Sequence, residues 1–221
     1  AKSSKGNQNC VVPGCVNVYN QFQNTDPFVF DENIYYSCCK QVHFTSLRSL
    51  DVGSIILFGS TISAIHGGSA FALDTVFVVG EKRAYTSKTY NNDLSGFIPK
   101  YYDDIMGFET WYSSTQFTCY KGASFNNPVH GMYSFVPCMK DDKATLGFPR
   151  PILTENDFIS ISIPSLSKHK KNKFVITENL NSAPKVIASD LNTNKQVWDT
   201  LCKIIDSQGY LQGMNSHINL Y

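Results

Sequence analysis

The chain has 221 residues, 42% of them hydrophobic, which suffices for one large domain or two small ones around a sizeable core. Only 17% of residues are charged, below the usual quarter, and a net charge of +1 exerts no global pull on nucleic acid or anionic membranes. No run approaches the ~20 apolar residues of a membrane helix, and the opening AKSSKGNQN lacks the apolar h-region of a signal peptide. These features predict a cytoplasmic protein without membrane contact; a start at Ala1 rather than Met is equally compatible with a trimmed or mature form. The 15 Phe and 12 Tyr, with little charge and much Asn, point to a β-rich protein with uncharged polar surfaces.

In chain order, residues 1–33 read as loop, rich in Asn, Gln and Gly. Within them Pro13-Gly14 sets a turn that brings Cys10 and Cys15 close. Short strands are predicted at Phe28–Phe30 and Ile34–Gln41. One helical turn follows over His43–Leu50, capped by Thr45 or Ser46. The centre of the chain is Leu47–Gly80. There two apolar runs of strand length, Ser54–Phe58 and Ala70–Val79, are bounded by glycines. The first run is mostly apolar, as expected of a strand covered on both faces. The second is interrupted by Asp74, a carboxylate that needs a partner or a site if buried. Segment 81–104 is charged and Tyr-rich, with a loop at Asn91–Asp93, and Asp103–Thr110 reads as a short helix. Thr115–Tyr120 alternates as a strand. Gly122–Pro137 (GASFNNPVHGMYSFVP) is a turn-rich loop running into a strand at Met132–Val136. A connection at Gly147–Pro151 leads to Phe158–Ile163 (FISISI), whose alternation predicts a half-exposed strand, and Lys168–Lys173 is a basic turn. The clearest helix is Lys195–Gln208, with apolar residues at helical spacing, Thr193 or Asn194 as cap, and Gly209 to end it. The expected architecture is α+β: a strand-rich, curved sheet or small β-barrel with peripheral helices, including one at the C-terminus, in a single domain over 1–221.

The phrase Leu50-Asp51-Val52-Gly53-Ser54-Ile55-Ile56-Leu57-Phe58 resembles a signature of PUA-like barrels, the group that includes the ASCH, EVE and YTH domains. There a turn leads into hydrophobic-x-x-Gly-Asp-x-apolar-apolar-aromatic and then a strand on the pocket wall. Ser54 stands where that group usually carries Asp. The resemblance covers residues 34–80 and implies a site that holds a nucleobase, often a modified one, between aromatic side chains.

Candidate chemistry concentrates in a few places. In Gly122–Pro137, Pro128 restricts the residue before it and Gly131 permits close backbone approach, so that a rigid loop presents Ser124, Asn127, His130 and Tyr133. His130 is a candidate acid or base, or alternatively a hydrogen-bonded turn residue. Asp74 either pairs with it in catalysis, reads the edge of a base or ribose, or is satisfied by backbone at a strand irregularity. Cys10, Cys15, Cys39 and His43 form a candidate Cys3His zinc set, with buried thiols or a disulfide as the plain alternatives. The odd total of seven cysteines differs from the even count of small secreted scaffolds. Trp111, Tyr112, Tyr101 and Tyr102 flank a loop and are either stacking platforms or core. Arg150, held between Pro149 and Pro151, is the best single anion ligand, ahead of the basic run Lys168–Lys173. His66-Gly67-Gly68 resembles an oxyanion loop but has no nucleophile elbow to serve.

These residues lead to a nucleotide- or modified-nucleobase-binding domain acting in nucleic-acid modification or defence. Trp111 and Tyr133 would stack on a base, Asp74 and Asn127 would read its edges, and Arg150 would meet a phosphate. A modest net charge favours a small ligand or one flipped base over long duplex. The alternatives are an enzyme cutting a nucleotide or glycosidic bond with Asp74 and His130, and an interaction subunit of a larger assembly. Zinc is the one cofactor implied.

Overall fold

The computed structural model describes residues 26–29, 33–63, 69–111, 115–138, 150–161 and 190–214. In chain order the elements are β1 (Tyr35–Tyr36), two 3-10 helices (Cys39–Val42 and Thr45–Arg48), β2 (Ile55–Ser63) and β3 (Ser69–Tyr85). There follow α1 (Tyr90–Asp93), α2 (Lys100–Met106), a 3-10 turn (Phe108–Thr110), β4 (Phe117–Gly122), β5 (Val136–Cys138), β6 (Ile152–Leu153), α3 (Glu155–Ile161), α4 (Leu191–Ser207) and β7 (Leu211–Gly213). The main sheet is antiparallel in the order β1-β4-β3-β2, with β6 also on β3; β5 and β7 pair separately. The fold is therefore α+β. Among the described residues β1 and β2 do not pair, and no closed barrel is formed. No described helix is long and apolar enough to cross a membrane.

The 17-residue strand β3 organises this sheet. One edge pairs with β2 from Ser69 to Val78. The other is shared by three segments: β6 at Phe71 and Ala72, Phe135 at Val76, and β4 from Val79 to Tyr85. Two irregularities set which side chain faces where. Opposite Phe58 and Gly59, the register jumps from Thr75 to Leu73, so Asp74 is the extra residue of a bulge. Such an insertion flips the two-residue alternation. Leu73 before it and Val76 and Val78 after it therefore point to the same side, into one core with Leu201, Ile205 and Trp198 of α4. Phe77 and Val79 point the other way, to Tyr36, Phe58 and Tyr120. Gly80 is skipped in the pairing with β4, and a Cβ there would stand 2.7 Å from the Ala123 amide nitrogen. Beyond it Tyr85 joins Phe117, Phe108 and Tyr102 in a third, aromatic core.

The phrase 50–58 now has a local cause. Ser54 N–H donates to the Asp51 carbonyl (2.9 Å), and Gly53 has φ +87°, which makes Asp51–Ser54 a turn with glycine at its third position. Gly53 N–H then donates to Val79, whose own N–H donates to Ser54, a bulge of the glycine-first type. Hydrophobic-x-x-Gly before an apolar strand is thus a turn-and-bulge entry, a device open to any antiparallel sheet.

Several expected boundaries move for identifiable reasons. The strand expected at Ile34–Gln41 stops after two residues, because Gln41 takes over the edge with its side chain. Its amide accepts from Thr118 N–H (2.8 Å) and donates to Thr118 C=O (2.9 Å). Of the strand expected at Phe28–Phe30, Phe28 forms a bridge to Tyr35, and Phe30 lies outside the described residues. The turn at Thr45–Arg48 is 3-10 and follows Phe44, with no side-chain cap from Thr45 or Ser46. The Asn91–Asp93 loop is the helical turn α1, and the helix expected at Asp103–Thr110 begins at Lys100 and breaks at Gly107 (φ +58°). The strand expected at Phe158–Ile163 is a correction: Glu155–Ile161 is helix. Thr154 and Asp157 bond reciprocally as a capping box. Phe158 and Ile161, three apart, both pack on the α4 core, so the apolar alternation also fits a helical face. The strand expected at Met132–Val136 begins at Val136 instead, because Met132 closes a tight turn. Helix α4 starts four residues before Lys195. Its cap is Asp190, which accepts from Thr193 N–H (3.0 Å), rather than Thr193 or Asn194. Gly209 does end it: Gly209 N–H reaches Asp206 C=O and Tyr210 N–H reaches Ile205 C=O, with Gly209 at φ +82°.

Replacing Gly53 by Ala forces a side chain into positive φ and sets a Cβ 2.2 Å from Leu191 Cδ2. We expect denaturant melts to show a loss of about 1–3 kcal/mol. Adding Leu191→Ala should recover only the steric part. Burial also raises the Tyr36 and Tyr102 phenols and the Cys119 thiol, and sets Tyr120 and Cys202 at about 12. Unfolded, such groups lose protons from about pH 9–10. The native state then holds more protons than the unfolded chain, so this stability is complete below about pH 9 and falls as pH rises through the window. A urea midpoint unchanged between pH 8 and 11 would contradict these burials.

Candidate functional site

Asp74 lies at the bulge with its side chain 1% exposed, and its Oδ1 is 3.1 Å from Arg150 Nη1. The same Nη1 donates to Ser60 Oγ at 2.9 Å. Arg150 reaches the bulge because Pro151 and β6 carry the chain along β3: Leu73 N–H donates to the Pro151 carbonyl. Gln208, at the end of α4, fixes the far side of β6 by accepting from Ile152 N–H and donating to Ile152 C=O, each at 2.9 Å. Tyr210 follows, its phenol raised by burial against an opposing pull from Arg150. The Arg150 side chain is 14% exposed. Its Nη1 is committed, and its Nη2 and Nε donate to no described residue. Asp74 and Ser60 therefore fix the orientation of the guanidinium.

The Gly122–Pro137 loop is built as expected of a rigid presenter. Asn127 N–H donates to both the carbonyl and the Oγ of Ser124, each at 3.1 Å. Val129 and Met132 exchange both backbone hydrogen bonds around His130 (φ +49°) and Gly131 (φ +77°), a two-residue hairpin with both central residues at positive φ. His130 is exposed and its Nε2 lies 3.2 Å from Asn192 Oδ1 at the start of α4. Tyr133 Oη donates to Gln212 Oε1 of β7 at 2.5 Å. Its ring stands edge-to-face on Trp198, centroids 5.0 Å apart, and Phe125 stands edge-to-face on Tyr133 at 5.3 Å. Phe125 is 56% exposed, so this ladder of rings runs from the α4 core to solvent. Lys195 Nζ lies 5.2 Å from the Trp198 ring.

The other expected residues are elsewhere. Trp111 packs on Phe108 and Phe117, centroids 5.0 Å from each, in the aromatic core beyond Gly80; it does not meet Tyr133. Tyr102 is fully buried, and Tyr101 is exposed against Phe28. Asp74 bonds Arg150 and His130 bonds Asn192, and no described residue joins the two. The hairpin of His130 abuts Gly53, which is bonded to Val79, five strand residues or roughly 16 Å from Asp74. Of the candidate zinc set, Cys10 and Cys15 lie outside the described residues, Cys39 opens a 3-10 helix, and His43 is exposed in the turn after it. Among the described residues no group of three His, Cys, Asp or Glu is positioned to hold a metal. Tyr112, His66-Gly67-Gly68 and Lys168–Lys173 also lie outside the described residues.

Phe125 and Ser60 were not singled out from the sequence. The signal for Phe125 was available: one large apolar residue among Ser, Asn and Pro in a turn, with no periodicity to call it inward. Ser60 has no such signal, because its role depends on the bulge opposite.

Removing the Asp74 carboxylate leaves Arg150 a half-buried, unpaired charge. Asp74→Ala should cost about 3–5 kcal/mol in chemical denaturation, with most of it restored in an Asp74→Asn/Arg150→Met double variant. A loss under about 1 kcal/mol would remove this pair from the account of the fold. Set against protein-family models, curated proteins and solved structures, the chain matches none of them.

Proposed function

We propose that this chain is a binding domain for a nucleotide or a single flipped base, read on the outer end of the Phe125–Tyr133–Trp198 ladder. The observation that carries the reading is the exposed Phe125, held at a fixed angle (84°) by a ring that is itself fixed by Gln212 and Trp198. A solvent-facing ring that is already ordered loses little entropy on stacking. Around it the exposed Asn126, Asn127, His130 and Asn192 offer amide and imidazole groups, the donors and acceptors that a base edge requires. Arg150 supplies the phosphate contact. Phe125 replaces Trp111 as the stacking partner of this proposal.

The interaction-subunit reading draws on a different observation. Val52 and Leu191 are exposed where the 50–54 turn meets α4, and Leu211 and Met214 are exposed beyond it.

Nucleoside monophosphates and short single-stranded oligonucleotides, titrated against intrinsic tryptophan fluorescence, test the proposal. Phe125→Ala should weaken binding by about 1–3 kcal/mol, on the order of five- to a hundredfold, while Trp111→Phe leaves it unchanged. No saturable binding of any of these ligands, or equal affinity in Phe125→Ala, overturns it.

A further inference from the structure

His130 is an unexpected residue for the place it holds. The Val129–Met132 hairpin needs positive φ at both central positions, a demand met best by Asn-Gly or Gly-Gly. His130 adopts φ +49° there, a conformation that a side chain with a Cβ resists. Its ring is exposed, so burial does not account for the residue. Backbone strain held in a rigid loop points instead to what the side chain presents.

The hydrogen bond to Asn192 decides what the ring presents. Asn192 Oδ1 is a carbonyl oxygen and can only accept, so His130 Nε2, 3.2 Å away, carries the hydrogen. A neutral imidazole has a single N–H, which leaves Nδ1 as an acceptor. No described residue donates to it. Asn192 sits in the first turn of α4, behind the Asp190 cap, so a fixed element sets the tautomer.

We infer that His130 Nδ1 is the specificity-determining acceptor of the base site, favouring the amino bases adenine and cytosine over the keto bases guanine and uracil. The inference rests on the reading of Phe125 as the stacking ring. Stacking is tolerant of base identity, because every base has a π-face. Discrimination must therefore come from polar groups around that ring, and His130 is the one whose hydrogen-bonding role is fixed by a neighbour. Adenine and cytosine carry an exocyclic N–H donor where guanine and uracil carry a carbonyl oxygen. An acceptor set against the amine satisfies both groups; set against the carbonyl it leaves both unpaired.

Cytidine and uridine monophosphates, titrated against tryptophan fluorescence at about pH 8, where a free imidazole is neutral, test it. We expect cytidine monophosphate to bind about three- to tenfold tighter. His130→Gly, which suits the positive φ of the hairpin, should keep a cooperative urea transition and bring that ratio below about twofold. Phe125→Ala should weaken both nucleotides and leave the ratio as it was. Nitrogen NMR of the imidazole should show hydrogen on Nε2, and Asn192→Ala should relax that tautomer and the preference together. A ratio unchanged in folded His130→Gly, a preference for uridine monophosphate, or hydrogen on Nδ1 overturns the inference while the stacking reading stands. If His130→Gly fails to fold, the NMR tautomer and the ratio in the unaltered chain decide. Binding of neither nucleotide, or affinities unaltered in Phe125→Ala, overturns the stacking reading and this inference with it.

Discussion

Every amide and carbonyl of β3 needs a partner, and most of the strand is buried where water cannot serve. That requirement explains the unusual division of its second edge. Pro151 and β6, then Phe135, then Ala123 and Ser134, then β4 take successive lengths of it. Each segment is brought to the strand by its own backbone hydrogen bonds. The positions of Arg150 and of the Gly122–Pro137 loop, the two parts of the candidate site, both follow from satisfying one strand.

The same requirement accounts for two glutamine side chains that behave as backbone. Gln41 pairs with Thr118 where β1 runs out, and Gln208 pairs with Ile152 where β6 has no further strand among the described residues. A primary amide sets a carbonyl acceptor beside one of its two N–H donors, so it can offer a donor and an acceptor side by side and complete a ladder that the chain does not continue. Gln41 is fully buried, which leaves its amide no alternative to this pairing.

The bulge at Asp74 links fold to chemistry. It turns Leu73 and Val76 to the same core, and it holds a carboxylate at an irregularity where a second element brings in an arginine. The Asp74–Arg150 pair is internally neutral, so in the proposed reading an anion at Arg150 would be held by directed hydrogen bonds from an oriented fork rather than by excess positive charge. This suits a small phosphate ester and a chain whose net charge is +1.

By itself the sequence determined the features that depend on neighbours in the chain. Apolar runs between glycines marked β2 and β3, helical spacing and Gly209 marked α4, and Pro128 with Gly131 marked the rigid loop. The need of Asp74 for a partner was also legible, because a carboxylate inside an apolar run has few ways to be satisfied. Tertiary structure alone decided which partner it took, since Arg150 is far away in sequence and arrives by a strand of two residues that carries no periodic signal. It also decided that FISISI begins as a helix, because alternation over so few residues fits either period and the Thr154–Asp157 cap, with the α4 core, selects one. Trp111 and Tyr133 look alike in sequence, as aromatics beside loops. One became core and the other part of a surface ladder because the pleat of β3, shifted at Asp74 and again at Gly80, sorts their neighbours into separate clusters. A shift of one residue in a strand moves every following side chain to the other face, and local sequence carries no record of where an opposing strand imposes it.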